Sequence, residues 1–271
     1  MNDEAAMAQL IGALRPWLGS LVIVGGWAHR LHRHSALASR PAYQPVLTLD
    51  ADLAFSLHEP IEGDIAAALK EAGFREHLSG EHTPPISHYT LGDERHGFYA
   101  EFLAPLHGSG VRRSGVPDTT VRRAGVTAQK LRYMDVLLTA PLVVGLGGEG
   151  FPLMPTAEVR LANPVAFIVQ KLLIQRERMP AKRPQDVLYI HDTLDLFGSS
   201  LDALAAMWRE RIRPSLARST ARNVEQLARE QFAQVTDVIR DAARIPQDRT
   251  LSSEELRARC EYGIKVLLGS A

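Results

Sequence analysis

Cysteine is almost missing from this chain: Cys260 stands alone among 271 residues. A single thiol excludes an intramolecular disulfide framework and every multi-cysteine zinc site, and it fits a reducing compartment. Net charge is missing as well, with 31 Lys and Arg against 31 Asp and Glu. That balance argues against a protein that coats nucleic acid through bulk charge, although it leaves room for a local basic patch. The apolar run around Leu21 to Gly26 is far too short to cross a bilayer, and Asp3 and Glu4 stand where a secretory leader would carry Lys or Arg. The expectation is a cytoplasmic chain with no membrane partner. No repeat of fixed period and no low-complexity tract is visible. What is present is an ordinary globular composition, 45% hydrophobic and 23% charged, in a chain long enough to bury about three quarters of its unfolded surface without staples.

The text changes character along the chain. The first part mixes short strand-like runs with turns and helices, and the part after Pro164 has apolar residues at helical spacing. Val224, Leu227, Ala228, Phe232, Val235, Val238, Ile239 and Ala242 read as one stripe over several turns. A Gly- and Pro-rich cluster between Gly145 and Pro164 marks the seam. The fold class predicted is α/β (α+β): a mixed sheet with helices in a domain over 1–155, then an all-helical C-terminal domain over 156–271 that completes the site.

Within the first part, Leu21 to Val24 predicts a strand buried on both faces, ended by Gly25 and Gly26 and followed by a helix from about Trp27 to His34. Ile61 to Ala72 reads as an amphipathic helix closed by Gly73. Ile86 to Leu91 and Phe98 to Leu103 read as a hairpin around a Gly92-to-Gly97 turn. From Val46 to Leu57 the residues alternate: Leu47, Leu49, Ala51, Leu53, Phe55 and Leu57 on one side, Thr48, Asp50, Asp52 and Ser56 on the other. Two carboxylates at i and i+2 of a strand share a face, and their repulsion must be relieved by a cation, a proton or solvent. Mg²⁺, or Mn²⁺ in its place, suits such a pair because it takes a few carboxylate oxygens and completes its shell with water and substrate phosphates. A solvated polar strand face is the plainer alternative. Upstream, Gly25 and Gly26 at a strand end before a helix allow a phosphate to approach the backbone closely, as well as serving as a simple tight turn.

The succession of VIVGGWA (Val22 to Ala28) and TLDADLAF (Thr48 to Phe55) resembles the DNA polymerase beta-like nucleotidyltransferase superfamily. That resemblance implies a third carboxylate on a later strand, and Glu101 in YAEFLAPL stands where it is expected. The segment NPVAFIVQKLLIQRERMPAKRPQDVLYIHDTL (Asn163 to Leu194) is similar to the Lys-bearing helix and downstream Asp of the AbiEii and MenT-like nucleotidyltransferases, toxin components of toxin–antitoxin and phage-defence systems. It implies nucleotide-binding roles for Lys171 and Asp186 beside Gly25 and Gly26, with Asp50, Asp52 and Glu101 as catalytic and metal ligands. The insert HSALASRPAYQP, and Gly26-Trp27 where many members have Gly-Ser, depart from the pattern.

The resemblance implies transfer of a nucleoside monophosphate from a nucleoside triphosphate to an acceptor hydroxyl. The acceptor would be RNA, foremost a tRNA 3′ end, or a protein side chain, with an antitoxin as a further partner. An antibiotic nucleotidyltransferase of the lincosamide or aminoglycoside type is the alternative, and a non-catalytic nucleotide-binding regulator is another. Glu101 is expected to act as general base, its proton affinity raised by its carboxylate neighbours. His29, His32 and His34 suggest a basic helix near the phosphate turn rather than a zinc site. Arg112, Arg113, Arg122, Arg123, Lys130 and Arg132 form a basic segment that would either grip a nucleic-acid backbone or lie as a solvated loop.

Overall fold

The computed structural model describes residues 3–56, 61–80, 84–92, 97–111 and 113–269. The chain divides into two compact units: Met1–Ala28 with Leu47–Ala162, and His29–Val46 with Asn163–Ala271.

The first unit is built on a mixed sheet, nine-stranded among the described residues: β1 (Leu21–Val24), β2 (Asp50–Phe55), β3 (Arg75–Ser79), β4 (Ile86–Leu91), β5 (Phe98–Pro105), β6 (Thr120–Arg123), β7 (Val126–Leu131), β8 (Leu142–Leu146) and β9 (Ala157–Leu161). The main path runs β3-β4-β5-β2-β1-β9-β8, with β7 paired to β5 and β6 to β7. All four residues of β1 are buried, as its unbroken apolar text predicts for a strand covered on both faces. β2 starts later than the alternation suggests. Leu47 and Leu49 are 67% and 38% exposed and precede the strand, whereas Thr48 is buried, so the apolar face consists of Ala51, Leu53 and Phe55. Leu57 lies outside the described residues.

Three helices accompany the sheet in sequence: α1 (Asp3–Ala13), α2 (Gly25–Leu31) and α3 (Ile65–Glu71), with the short α4 (Met134–Leu137) further on. α3 begins where Asp64 caps it, its carboxylate accepting from the Ala67 N–H, and ends before Gly73 at φ +87. α1 packs on α3 and β5, placing Met7, Leu10 and Ile11 in the core. The Gly- and Pro-rich stretch after Gly145 connects β8 to β9, which pair antiparallel from Leu142↔Leu161 to Leu146↔Ala157. The basic segment is a hairpin rather than a loop: Ala124 and Gly125 both have positive φ, the tight-turn requirement, and set Arg123 across from Val126. Arg112 falls outside the described residues.

The second unit is helical: α5 (Pro164–Ile174), α6 (Arg183–Leu196), α7 (Leu201–Met207), a π-helical turn at Trp208–Ile212, α8 (Arg213–Ser215), α9 (Arg218–Phe232), α10 (Asp237–Arg244) and α11 (Ser253–Leu268). Asn163 starts α5 by accepting from the Ala166 N–H at 2.8 Å, and Pro164 occupies the first turn, where its missing N–H costs nothing. The stripe from Val224 to Ala242 is two helices. Thr236 caps α10 through the Ile239 N–H and breaks the run between Phe232 and Asp237. The insert at 34–45 belongs to this unit: the Tyr43 hydroxyl donates to Asp195 at 2.8 Å, and the Arg249 guanidinium lies 3.4 Å from the Tyr43 ring centre.

Candidate functional site

The polar face of β2 meets the polar face of β5. These two strands pair parallel, and the register sets Asp50 beside Tyr99 and Asp52 beside Glu101. Period-two alternation then gathers Asp50, Asp52, Tyr99 and Glu101 on one face of two adjacent central strands, while Ala51, Leu53, Ala100 and Phe102 turn into the core. β1 runs antiparallel on the other side of β2 and ends with Val24 beside Asp52, so the chain leaves the sheet at the aspartate. Gly25 follows at φ +62, a conformation that glycine adopts without the Cβ penalty. A Cβ there would collide with the Asp52 carboxylate and come within 3.0 Å of its Cγ. The first glycine of the pair is thus fixed by the close approach of a carboxylate to the backbone, not by the turn alone.

Asp52 and Glu101 lie side by side across the β2–β5 ladder. Burial pushes the Glu101 carboxyl upward, but the contact from His88, with the adjoining Asp52 side chain, outweighs it and holds the group below the ordinary carboxylate range. The expectation that neighbouring carboxylates raise its proton affinity is therefore corrected: Glu101 keeps its base form down to lower pH than a free glutamate. Asp50 is turned toward Thr48, whose hydroxyl donates to Oδ1.

Two residues of the face escaped the sequence reading. His88 on β4 sits across from Glu101 in the antiparallel register, with Nε2 3.2 Å from Oε2, and its ring stacks on Tyr99 at 6.0 Å. Tyr99 is half buried, and burial together with Asp50, Glu101 and Asp52 pushes its hydroxyl well above the usual range, so it stays protonated as a donor beside the three acids. Both were within reach of the pattern. Tyr99 lies two residues before Glu101 on the same strand, and a hairpin with Leu91 across from Phe98 puts His88 across from Glu101.

The donor set suits a hard divalent cation of the Mg²⁺ or Mn²⁺ type: carboxylate oxygens, partly buried, on neighbouring strands. Among the described residues no three acidic or histidine side chains form a ready-made coordination sphere. Asp52 and Glu101 are brought together, and Asp50 shares their face with one oxygen held by Thr48.

Lys171 and Asp186 are joined in the second unit. Lys171 Nζ lies 2.6 Å from Asp186 Oδ1, Arg178 Nε lies 3.0 Å from Oδ2, and the two partnered side chains are 8% and 1% exposed. The ammonium also lies over the Phe167 and Tyr189 rings at 5.4 and 5.3 Å. Lys171 is neither snorkelled to solvent nor lacking an anion, and the group of three carries one net positive charge. The histidines of HRLHRH are corrected too. His29 and His32 are buried against Phe167, with Tyr189 also against His29 and Phe197 against His32, and burial lowers the His29 pKa to about 3. His29 is therefore a neutral core side chain, not part of an exposed basic helix.

Beyond the site itself, no helix among the described residues is long and apolar enough to cross a membrane. In comparison with known proteins, the model of a nucleotidyltransferase family matches residues 2–213. No curated protein and no solved structure matches the chain.

Proposed function

The chain belongs to the nucleotidyltransferase family, and from that premise we propose that the β2–β5 face carries the transfer of a nucleoside monophosphate from a nucleoside triphosphate to an acceptor hydroxyl. The observation that carries this reading is the in-register meeting of Asp52 and Glu101 with Gly25 packed against Asp52. Asp50, Asp52 and Glu101 are the residues to hold Mg²⁺. When bound, such an ion supplies Lewis-acid charge to the phosphate oxygens.

The chain's own contributions follow from their positions. At Gly25 the backbone and the Asp52 carboxylate lie closer than any side chain would allow, and Gly25 and Gly26 at this strand end are the backbone to meet the triphosphate. Glu101, ionised well below neutral pH, takes the proton of the acceptor hydroxyl as that oxygen bonds to the α-phosphorus. The bond from the α-phosphorus to its bridging oxygen breaks, and pyrophosphate leaves with the electron pair. His88 holds Glu101 in place through the 3.2 Å contact, and Tyr99 stands beside both as a donor. The nucleotide-binding role implied for Lys171 and Asp186 falls to the net positive charge that they form with Arg178.

The likeness of Asn163 to Leu194 to the AbiEii and MenT-like enzymes supports RNA as the acceptor, in the first place a tRNA 3′ end, in a toxin–antitoxin or phage-defence setting. The test incubates the protein with each α-labelled nucleoside triphosphate, Mg²⁺ and total RNA, beside Asp50→Asn/Asp52→Asn. Label in a tRNA-sized band with the native chain alone is the expected result. Full activity of the double variant overturns the assignment of the aspartates, and label on protein or on an added aminoglycoside or lincosamide overturns RNA as acceptor.

A further inference from the structure

The second unit contains a cavity of about 450 Å³ whose walls carry four arginines, Arg209, Arg213, Arg218 and Arg222, over a floor that includes Pro214 and Leu216. Among the described residues no acidic side chain lines it. Between Arg209 and Arg222 the sequence has five arginines against Glu210 as its sole acid, a local excess hidden by the overall charge balance. Arg213 reaches Glu225 at 3.8 Å. Among the described residues, Arg209, Arg218 and Arg222 have no ion-pair partner. Guanidiniums gathered at one cavity with a single carboxylate, at 3.8 Å from Arg213, among them repel one another, and an anion relieves that repulsion.

The backbone explains why they converge. Pro214 cannot donate an N–H, and its ring crowds the carbonyl four residues earlier, at Glu210. The helix widens there into the π turn Trp208–Ile212, anchored by the fully buried Trp208, and stops after Ser215. The chain turns through Leu216 and re-enters helix as α9, fifteen residues long, whose first turn has no side-chain cap. Arg218 and Arg222 are one turn apart on α9 and share its face, opposite Arg209 and Arg213. The uncapped N–H groups of that first turn add donors of the same sign.

We propose that this cavity binds consecutive phosphates of an RNA backbone. The proposal rests on the reading of RNA as acceptor and adds the surface that holds it. Four guanidiniums around one cavity are more than a single phosphate group needs, which favours adjacent phosphates over one phosphorylated side chain. Among the described residues no aromatic ring lines the cavity, so it offers no platform for stacking a base and reads the backbone rather than the sequence. The family match ends at residue 213, before Arg218 and Arg222.

The test measures binding of the full chain to labelled total RNA over a series of salt concentrations, for the native protein, Arg218→Gln/Arg222→Gln and Arg240→Gln/Arg244→Gln. The last pair removes the same charge from exposed α10 arginines that are paired with Asp237 and Asp241. Arg218→Gln/Arg222→Gln should weaken RNA binding about tenfold or more and lower the slope of log affinity against log salt by about 1.4, at about 0.7 per phosphate contact on a single strand. The α10 pair should stay within about twofold of native, and thermal melts confirm that both variants fold. Equal affinities for all three proteins, or equal losses in both variants, overturn the proposal. So does arginine-dependent binding of inorganic tripolyphosphate without arginine-dependent binding of RNA, which would make the site one for free polyphosphate. Arginine-dependent RNA binding without RNA labelling would overturn the acceptor reading alone, and RNA labelling that ignores the arginines would overturn this site alone.

Discussion

Gly25→Ala is the most telling single change in the molecule, because it places one methyl group between the backbone and the Asp52 carboxylate. Two effects are expected and can be separated. At φ +62 an alanine pays the left-handed penalty of about 1–2 kcal/mol, which for a chain of this size lowers the melting temperature by about 2–8 °C. The new Cβ would also overlap a carboxylate oxygen and stand 3.0 Å from Cγ of Asp52. Because the obstructing atoms end a short side chain, the fold survives and Asp52 rotates away from Glu101. A misplacement of about 1 Å in a reacting constellation costs about 100-fold in rate. Gly73→Ala is the control: φ is +87 there, but the nearest atom to an added Cβ is Gln9 Nε2 at 3.8 Å, so it pays backbone strain with nothing to displace. Thermal melts and Mg²⁺-dependent turnover of labelled triphosphate should show similar melting losses for the two variants and a rate loss for Gly25→Ala alone. Native turnover in Gly25→Ala, or an equal rate loss in Gly73→Ala, would refute the claim that this glycine serves the carboxylate.

Two further outcomes concern the helical unit. His29 is neutral when folded, with burial holding its pKa near 3, and it takes up a proton near 6.5 when unfolded. Its contribution to stability is therefore complete above pH 6.5 and is lost as pH falls toward 3, at about 1.4 kcal/mol per pH unit. Neither ring nitrogen has a hydrogen-bond partner among the described residues, so His29→Phe, facing Phe167 and Tyr189, should match the native chain at pH 7.5 and exceed it by about 2 kcal/mol at pH 5 in urea titrations. An unchanged difference between the two pH values would sink the assignment. Asp186→Asn removes the anion from a buried ammonium and should cost about 3–5 kcal/mol, whereas Lys171→Met/Asp186→Leu should recover most of it, since Arg178 can turn to solvent. A single variant within about 0.5 kcal/mol of native in the same titrations would show that the pair is not what holds these helices together.

Much of the sheet was legible because its signals are local. The unbroken apolar run of β1, the capped and glycine-ended α3 and the paired runs of β4 and β5 each declare themselves within a dozen residues. β3 does not. Its residues Arg75 to Ser79 carry no apolar face, because it is an edge strand that pairs with β4 alone and leaves Leu78 64% exposed. The start of β2 lies later for a related reason: Leu47 and Leu49 continue the alternation but are exposed, and of the two only the Leu49 carbonyl reaches β5, accepting from the Tyr99 N–H. Thr236 was hidden in the opposite way. An apolar stripe that keeps its phase across a break reads as one helix, and a threonine cap is the sole local mark of two.

The site was legible in proportion to how far each residue lies from its partner along the chain. Asp50 and Asp52 share a face by strand geometry alone, and Glu101 joins them once its strand is recognised, but nothing in composition or period states that β5 runs parallel beside β2. That neighbour relation spans about fifty residues and is decided by the whole sheet order, so the sequence could name the acids without showing that Asp52 faces Glu101. It also explains why the sign of the Glu101 shift was misjudged. Counting carboxylates predicts a raised proton affinity, whereas burial is what raises it here, and the register brings His88 within 3.2 Å as a close donor that helps to outweigh that burial. The same logic separates His29 from a surface basic residue. Its own helix carries arginines and histidines, and only the packing of Phe167 and Tyr189, well over a hundred residues later, makes charge there untenable.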